Sequence, residues 1–245
     1  QSYYDYSHDQ RVLDFMSKYF RYELNIPDEQ FLPGSWQKLR GGENLESVYW
    51  LYNRTGESWL LELAKKIYRQ TADWTSPILT TERDRLWEES SFYHGVNIAM
   101  GLKYPALYYQ QTGEKQLLEA VERNYQQLMT AYGQQPGGMF AADENIRPGY
   151  NDPRQGAETC TMVEMMFTWE TLLKITGETI AADRVEDIAF NSLPASMTPD
   201  LRGLHYLTAA NLISCDRSGE HDFQNSGTLL SYDPWSYRCC QHNVA

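Results

Sequence analysis

The sequence predicts an all-α fold of helical hairpins arranged as an α/α barrel. Three observations predict it. A unit of apolar stripe, Thr-Gly-Glu break and second apolar stripe occurs three times. Within each stripe the apolar residues recur at i, i+3 and i+4, the period of a half-buried helix. The strand-like runs lie late, after about Asn191.

The first unit is Tyr49-Trp50-Leu51-Tyr52-Asn53-Arg54-Thr55-Gly56-Glu57, followed by Leu60, Leu61, Leu63, Ala64 and Ile67. The second runs from Ala106 through Thr112-Gly113-Glu114 to Leu117, Leu118, Ala120 and Val121. The third runs from Thr171 through Thr176-Gly177-Glu178 to Ala181, Ala182, Val185 and Ile188. Glycine suits the position that ends a helix in a left-handed turn, and an acid suits the start of the next helix. The breaks are 57 and 64 residues apart. That is long for a tetratricopeptide or armadillo solenoid. It suits a barrel whose long loops gather at one end to make a site. Three hairpins are half of a six-hairpin barrel, so the chain reads as part of a larger fold. Leu204 to Thr208 and Thr228 to Tyr232 read as short strands.

Composition narrows the function. The chain has 245 residues, 42% hydrophobic and 22% charged, enough for a real core and outside the range of disordered chains. No apolar run reaches a membrane span and mean hydropathy is −0.60, so the chain reads as soluble. The start, Gln1-Ser2-Tyr3-Tyr4-Asp5, does not read as a signal peptide. A net charge of −12 without a basic run argues against nucleic acid and against anionic membranes. The 18 Tyr and 7 Trp suit ligands with apolar faces and hydroxyl edges, such as sugars, although filling a helical core is their commoner use.

Four clusters could carry chemistry. Cys239 and Cys240 are adjacent, which disfavours a disulfide scaffold and favours metal ligation or reactivity. Glu158-Thr159-Cys160 could supply further ligands. Positions i and i+2 diverge on a helix, so these two converge only if Glu158 precedes the helix that Met162 to Leu173 predicts. Three thiolates and a carboxylate would suit zinc, while spacing alone leaves four buried reduced cysteines, Cys215 included, as the commoner reading. Gly137-Gly138 would let backbone approach a ligand, and Asp143-Glu144 after it offers a general acid; a solvated acidic turn is the commoner reading of that pair. His94, at the start of an apolar helix, could bind a ligand hydroxyl or be a satisfied core histidine. The sequon Asn53-Arg54-Thr55 falls at a helix end and is discounted.

On these residues the chain resembles glycoside hydrolase family 127, whose characterised members include β-L-arabinofuranosidases. The matching strings are Trp50 to Gly56, His94-Gly95-Val96-Asn97-Ile98-Ala99-Met100, Tyr108 to Gly113, Gly156-Ala157-Glu158-Thr159-Cys160 and Arg238-Cys239-Cys240-Gln241-His242-Asn243. The resemblance implies an (α/α)6 barrel followed by β-sandwich domains, with residues 1–245 a partial catalytic barrel domain carrying short β segments near its end. It implies a retaining hydrolase that binds Zn2+ through Glu158, Cys160, Cys239 and Cys240. Cys239 would be the nucleophile and Glu144 the general acid/base, with Asp143 the next candidate. His94 and Tyr206 would contact the sugar.

Two positions depart from the family. Gln241-His242 stands where the best-known members carry two prolines, and Glu43 stands where they carry a sugar-binding histidine. Glu43 and His242 are therefore candidate substrate contacts that would change the sugar. The expected partner is an arabinofuranoside-containing oligosaccharide, with neither nucleic acid nor membrane, and a homodimer is compatible. The resemblance places the chain in bacterial carbohydrate metabolism, in the cytoplasm, the periplasm or outside the cell. Two rivals are a zinc enzyme of another kind on an α/α toroid, such as a lanthionine-synthetase-like cyclase with two Cys and a His as ligands, and a non-catalytic sugar-binding relative.

Overall fold

The computed structural model describes residues 1–80, 91–133, 135–147, 155–224, 227–231 and 238–244. Its α-helices are α1 (Ser2–Ser7), α2 (Gln10–Asn25), α3 (Ser35–Arg40), α4 (Asn44–Thr55), α5 (Trp59–Gln70), α6 (Gly95–Gly101), α7 (Tyr104–Thr112), α8 (Lys115–Tyr132), α9 (Thr159–Thr176), α10 (Thr179–Asp187) and α11 (Arg238–Val244). Each Thr-Gly-Glu break separates the two helices of one hairpin: α4–α5, α7–α8 and α9–α10.

The three breaks share one geometry. Gly56, Gly113 and Gly177 have φ of 67°, 71° and 72°, and their N–H groups donate to the carbonyls of Tyr52, Tyr109 and Leu173. A Cβ at any of them would meet open space, so conformation and not room selects glycine. The threonine contributes what the sequence reading missed. The hydroxyls of Thr55, Thr112 and Thr176 accept the N–H of the glutamate two residues on, at 3.4, 3.2 and 3.2 Å. None of the three glutamates caps the following helix with its side chain.

Helix α9 organises the half of the molecule that carries the site. It packs against α6, α7, α10 and α11, and its start continues a two-residue strand, β1 (Ala157–Glu158). The core it shares includes Tyr93, Tyr104, Phe140 and Trp169, all fully or almost fully buried. Many aromatics thus serve packing, the commoner of the two uses. Leu204 to Thr208 is not one strand. It divides into β2 (Leu204–His205) and β3 (Leu207–Thr208), which pair antiparallel with β4 (Leu230–Ser231) and β1 respectively. Tyr206 sits at the break, donating its N–H to Leu229 O and accepting from Thr159 N. Tyr232, predicted to extend β4, lies outside the described residues.

Gly137 and Gly138 have φ of 80° and 75°. The close approach they permit is to protein, not to ligand. A Cβ on Gly137 would lie 2.4 Å from Ser192 Oγ, and one on Gly138 2.8 Å from Asp187 Oδ2. No described helix is long and apolar enough to cross a membrane.

Candidate active site

Glu158 has extended backbone, φ −73° and ψ 139°, and directly precedes α9, whose second residue is Cys160. The turn from strand to helix lets two side chains at i and i+2 converge, as the sequence required. Docking of α11 on α9 brings Cys239 and Cys240 to the same place. One ligand atom from each of Glu158, Cys160, Cys239 and Cys240 lies within 4.8 Å of the others. Cys160 Sγ is 2.9 Å from Cys240 Sγ, which is 4.0 Å from Cys239 Sγ and 3.7 Å from Glu158 Oε1. All four cysteines of the chain are free thiols; Cys160 and Cys240 are buried and Cys239 is exposed.

This set is electrostatically incomplete by itself. Glu158 is buried, and its Oε2 has no hydrogen-bond partner. Burial, with repulsion from Glu144, pushes its carboxyl up to about 7, against the pull of His94. Hydrogen bonds from the Cys160 and Cys240 thiols hold the Cys239 thiol far below its ordinary range. Hydrogen bonding to Cys239 and Cys240 pushes Cys160 up. Three sulfurs and a carboxylate packed together could hold a cation, and soft thiolates with one oxygen would suit zinc.

A stability prediction follows for chelator-treated protein. The folded state holds the Glu158 proton more tightly than the unfolded chain, so its charge costs nothing below the ordinary carboxylate range and its full penalty above pH 7. Thermal stability is expected to fall between about pH 4.5 and 7, by about 3 kcal/mol from this group. A melting curve that is flat over that interval would count against the burial argument.

His94 and Glu144 share Glu158 as a neighbour with the thiols. His94 Nε2 is 3.3 Å from Glu144 Oε2 and 3.8 Å from Glu158 Oε2. One ligand atom from each of the three lies within 4.8 Å of the others. Tyr206 donates its phenol to Glu144 Oε1, and burial, first of all, pushes that phenol up. His94 precedes α6, and its ring meets Trp36 edge-on at 5.4 Å. Trp36 is 44% exposed and lies under the Arg40 guanidinium at 4.8 Å. Sequence reading passed over this aromatic because it lies outside every repeat and motif.

Glu144 and Asp143 differ from the acidic turn expected of them. Asp143 is fully buried, gripped by Arg147 Nη2 at 2.9 Å on both oxygens, by Gln155 Nε2 at 3.2 Å and by Gln224 N at 2.9 Å. It is an anchor and not a substitute acid. Glu144 is partly buried with φ 123°, a left-handed backbone that non-glycine residues adopt only under constraint. A cavity of about 300 Å3 opens on the Asp143 side of this segment; none of His94, Glu144, Tyr206 or the four metal-type ligands lines it.

The two remaining expected contacts, Glu43 and His242, are not members of either cluster. Glu43 Oε2 is 2.8 Å from the fully buried Lys103 Nζ, itself 3.6 Å from Glu164 Oε2. These are charge contacts and not hydrogen bonds. Glu164 is one turn beyond Cys160 on α9; it and Glu43 are half-buried around the fully buried Lys103, and Glu43 is not among the groups that converge on Glu158. Lys103 gave no sequence signal, since a lone lysine in Leu102-Lys103-Tyr104 reads as a solvated charge. His242 is exposed on α11, two residues past Cys240.

A search of curated proteins with the sequence returned no match. Among solved structures, a GH127 β-L-arabinofuranosidase from Geobacillus stearothermophilus T6 aligns with TM-score 0.63 and 17% identity, over 84% of this chain and 36% of that one. A second GH127 β-arabinofuranosidase aligns with TM-score 0.54 and 15% identity, over 84% and 33%. A sugar epimerase from a ruminal bacterium aligns with TM-score 0.50 and 17% identity, over 71% and 48%. The chain therefore spans less than half the length of these proteins. At such identities the likeness carries the fold, which is that of an α/α toroid. A model of the β-L-arabinofuranosidase GH127 catalytic domain matches residues 1–245 from end to end, and the chain belongs to that family.

Proposed function

We propose that the protein is a retaining glycoside hydrolase of the β-L-arabinofuranosidase type, with residues 1–245 contributing part of its catalytic barrel domain. One observation carries this reading. Glu158 lies within 4.8 Å both of a three-cysteine cluster and of His94 and Glu144, so a candidate thiol nucleophile and a candidate carboxylic acid share one neighbour. Retaining hydrolysis needs a nucleophile on one side of the anomeric carbon and an acid on the other.

Glu158, Cys160, Cys239 and Cys240 would hold zinc, and the unpartnered Glu158 Oε2 fits such a ligand. Bound there, zinc would keep Cys239 as thiolate at neutral pH and improve it as a leaving group. Cys239, the most exposed of the four, attacks the anomeric carbon while Glu144 donates its proton to the departing glycosidic oxygen. A glycosyl–Cys239 thioether forms. Glu144, now a carboxylate, takes a proton from water as that water displaces the sulfur. Tyr206 and His94 hold the two carboxyl oxygens of Glu144. Trp36 offers an aromatic face beside His94 for the sugar ring.

The test is hydrolysis of p-nitrophenyl β-L-arabinofuranoside followed by proton NMR. The β-anomer is expected as first product. First appearance of the α-anomer would remove the retaining mechanism. Zinc binding without hydrolysis of any furanoside would favour the non-catalytic sugar-binding relative. The cyclase reading is disfavoured because the fourth member of the set is a carboxylate, leaving no position for a substrate thiol.

A further inference from the structure

The left-handed backbone of Glu144 needs an explanation outside Glu144 itself. A non-glycine residue held in such a region costs on the order of 1–3 kcal/mol and persists only where its surroundings over-determine it. Here they do. Upstream, Ala141 N donates to Tyr132 O and Ala142 N to Gly156 O, both at 2.7 Å. Glu144 O accepts from Gly95 N at 2.7 Å, and Ile146 N donates to Tyr93 O at 2.9 Å.

The residues on either side of Glu144 are bracketed by two glutamines, Gln155 ten to twelve residues on and Gln224 about eighty residues on. Gln155 Nε2 donates both to Asp143 Oδ1, at 3.2 Å, and to Asn145 O, at 3.0 Å. Gln224 works in both directions. Its backbone N–H donates to Asp143 Oδ2 at 2.9 Å, and its side-chain Oε1 accepts from Asn145 N at 3.1 Å. Each glutamine thus touches residue 143 and residue 145, skipping the one between. Gln155 is 1% exposed, and its own carbonyl accepts from Gln135 Nε2, so this part of the bracket is seated in the core. Arg147 Nη2 donates to both oxygens of Asp143 at 2.9 Å and so ties down the same carboxylate.

We infer that Gln155 and Gln224 are positioning residues for Glu144: they fix residues 143 and 145 and thereby aim the Glu144 carboxyl at Tyr206 and His94. The inference rests on the proposed acid/base role of Glu144. Neither glutamine touches the reacting atoms. Both act through the Asp143 carboxylate and the Asn145 backbone.

The experiment compares wild type, Gln155→Leu, Gln224→Leu and Glu144→Gln on two β-L-arabinofuranosides, one with a poor alkyl leaving group and one with dinitrophenolate. Leucine keeps the volume and removes the hydrogen bonds; in Gln224→Leu the backbone contact to Asp143 remains. A misaimed acid hurts only the substrate that needs protonation. Each Leu variant should lose about 10-fold in kcat/KM on the alkyl glycoside, part of the ~100- to 10,000-fold that general acid catalysis supplies, and less than about 3-fold on the dinitrophenyl glycoside. Hydrogen exchange at the Asn145 amide should speed up in Gln224→Leu. Equal losses on both substrates would make the glutamines merely structural, and unchanged rates would leave them no role; either overturns the inference. Glu144→Gln separates the two levels of the argument. If it shows no leaving-group dependence, the acid/base assignment fails first. If it shows that dependence and the Leu variants do not, only the positioning role fails. Should one Leu variant not fold, the other carries the test.

Discussion

Glu144→Gln is expected to lower kcat/KM on substrates with poor leaving groups by about 100- to 10,000-fold while leaving zinc content unchanged. Glutamine keeps the shape of the side chain and can still meet Tyr206 and His94, but it has no proton to give. The loss should shrink as the leaving group improves, since a good leaving group departs without protonation. Hydrolysis of the glycosyl–Cys239 thioether should then become slow, because no base remains to take the proton of water. Glu144 lies outside the Glu158, Cys160, Cys239 and Cys240 set, so metal binding should not follow activity. The check is a steady-state series over leaving groups together with elemental mass spectrometry. Asp143 cannot fill in, since Arg147, Gln155 and Gln224 already occupy its oxygens.

Cys239→Ser should be more severe. It removes the proposed nucleophile and one soft ligand together, and loss of about 10,000-fold or more in kcat is expected, as for nucleophiles elsewhere. Serine is a poor zinc ligand near neutral pH, so zinc content should fall below that of wild type. Glu158→Ala should also lose zinc, for a different reason. It removes the buried oxygen that has no hydrogen-bond partner, and leaves the Cys239 thiol in place. A Cys239→Ser protein that keeps both zinc and turnover would show that a different group attacks the sugar.

What was legible in the sequence was what is local. The Thr-Gly-Glu breaks are set by three consecutive residues, so the hairpins α4–α5, α7–α8 and α9–α10 could be read directly. The pre-helical Glu158 could be read from the helix that follows it. The meeting of Cys160 with Cys239 and Cys240 spans some eighty residues, and spacing alone could not decide it; family resemblance did. The acidic pair was the hardest case. Burial of Asp143 and the φ of Glu144 depend on Gln155, Gln224 and Gly95, and no local rule foretells contacts at that range. Glu43 shows another long-range effect: the fold pairs it with Lys103, a lysine that no local pattern marks for burial. The glycine pair 137–138 was read for its freedom, correctly, but the neighbour it admits is Ser192.

The central claim is that a sulfur, not a carboxylate, takes the sugar. The most direct measurement is mass spectrometry of the Glu144→Gln protein after brief reaction with a dinitrophenyl β-L-arabinofuranoside and acid quench, with the modified peptide sequenced. A single pentosyl group on Cys239, released on further incubation, is the expected result. A pentosyl group on Glu158 or another carboxylate, or steady turnover with no labelled peptide, would contradict the account.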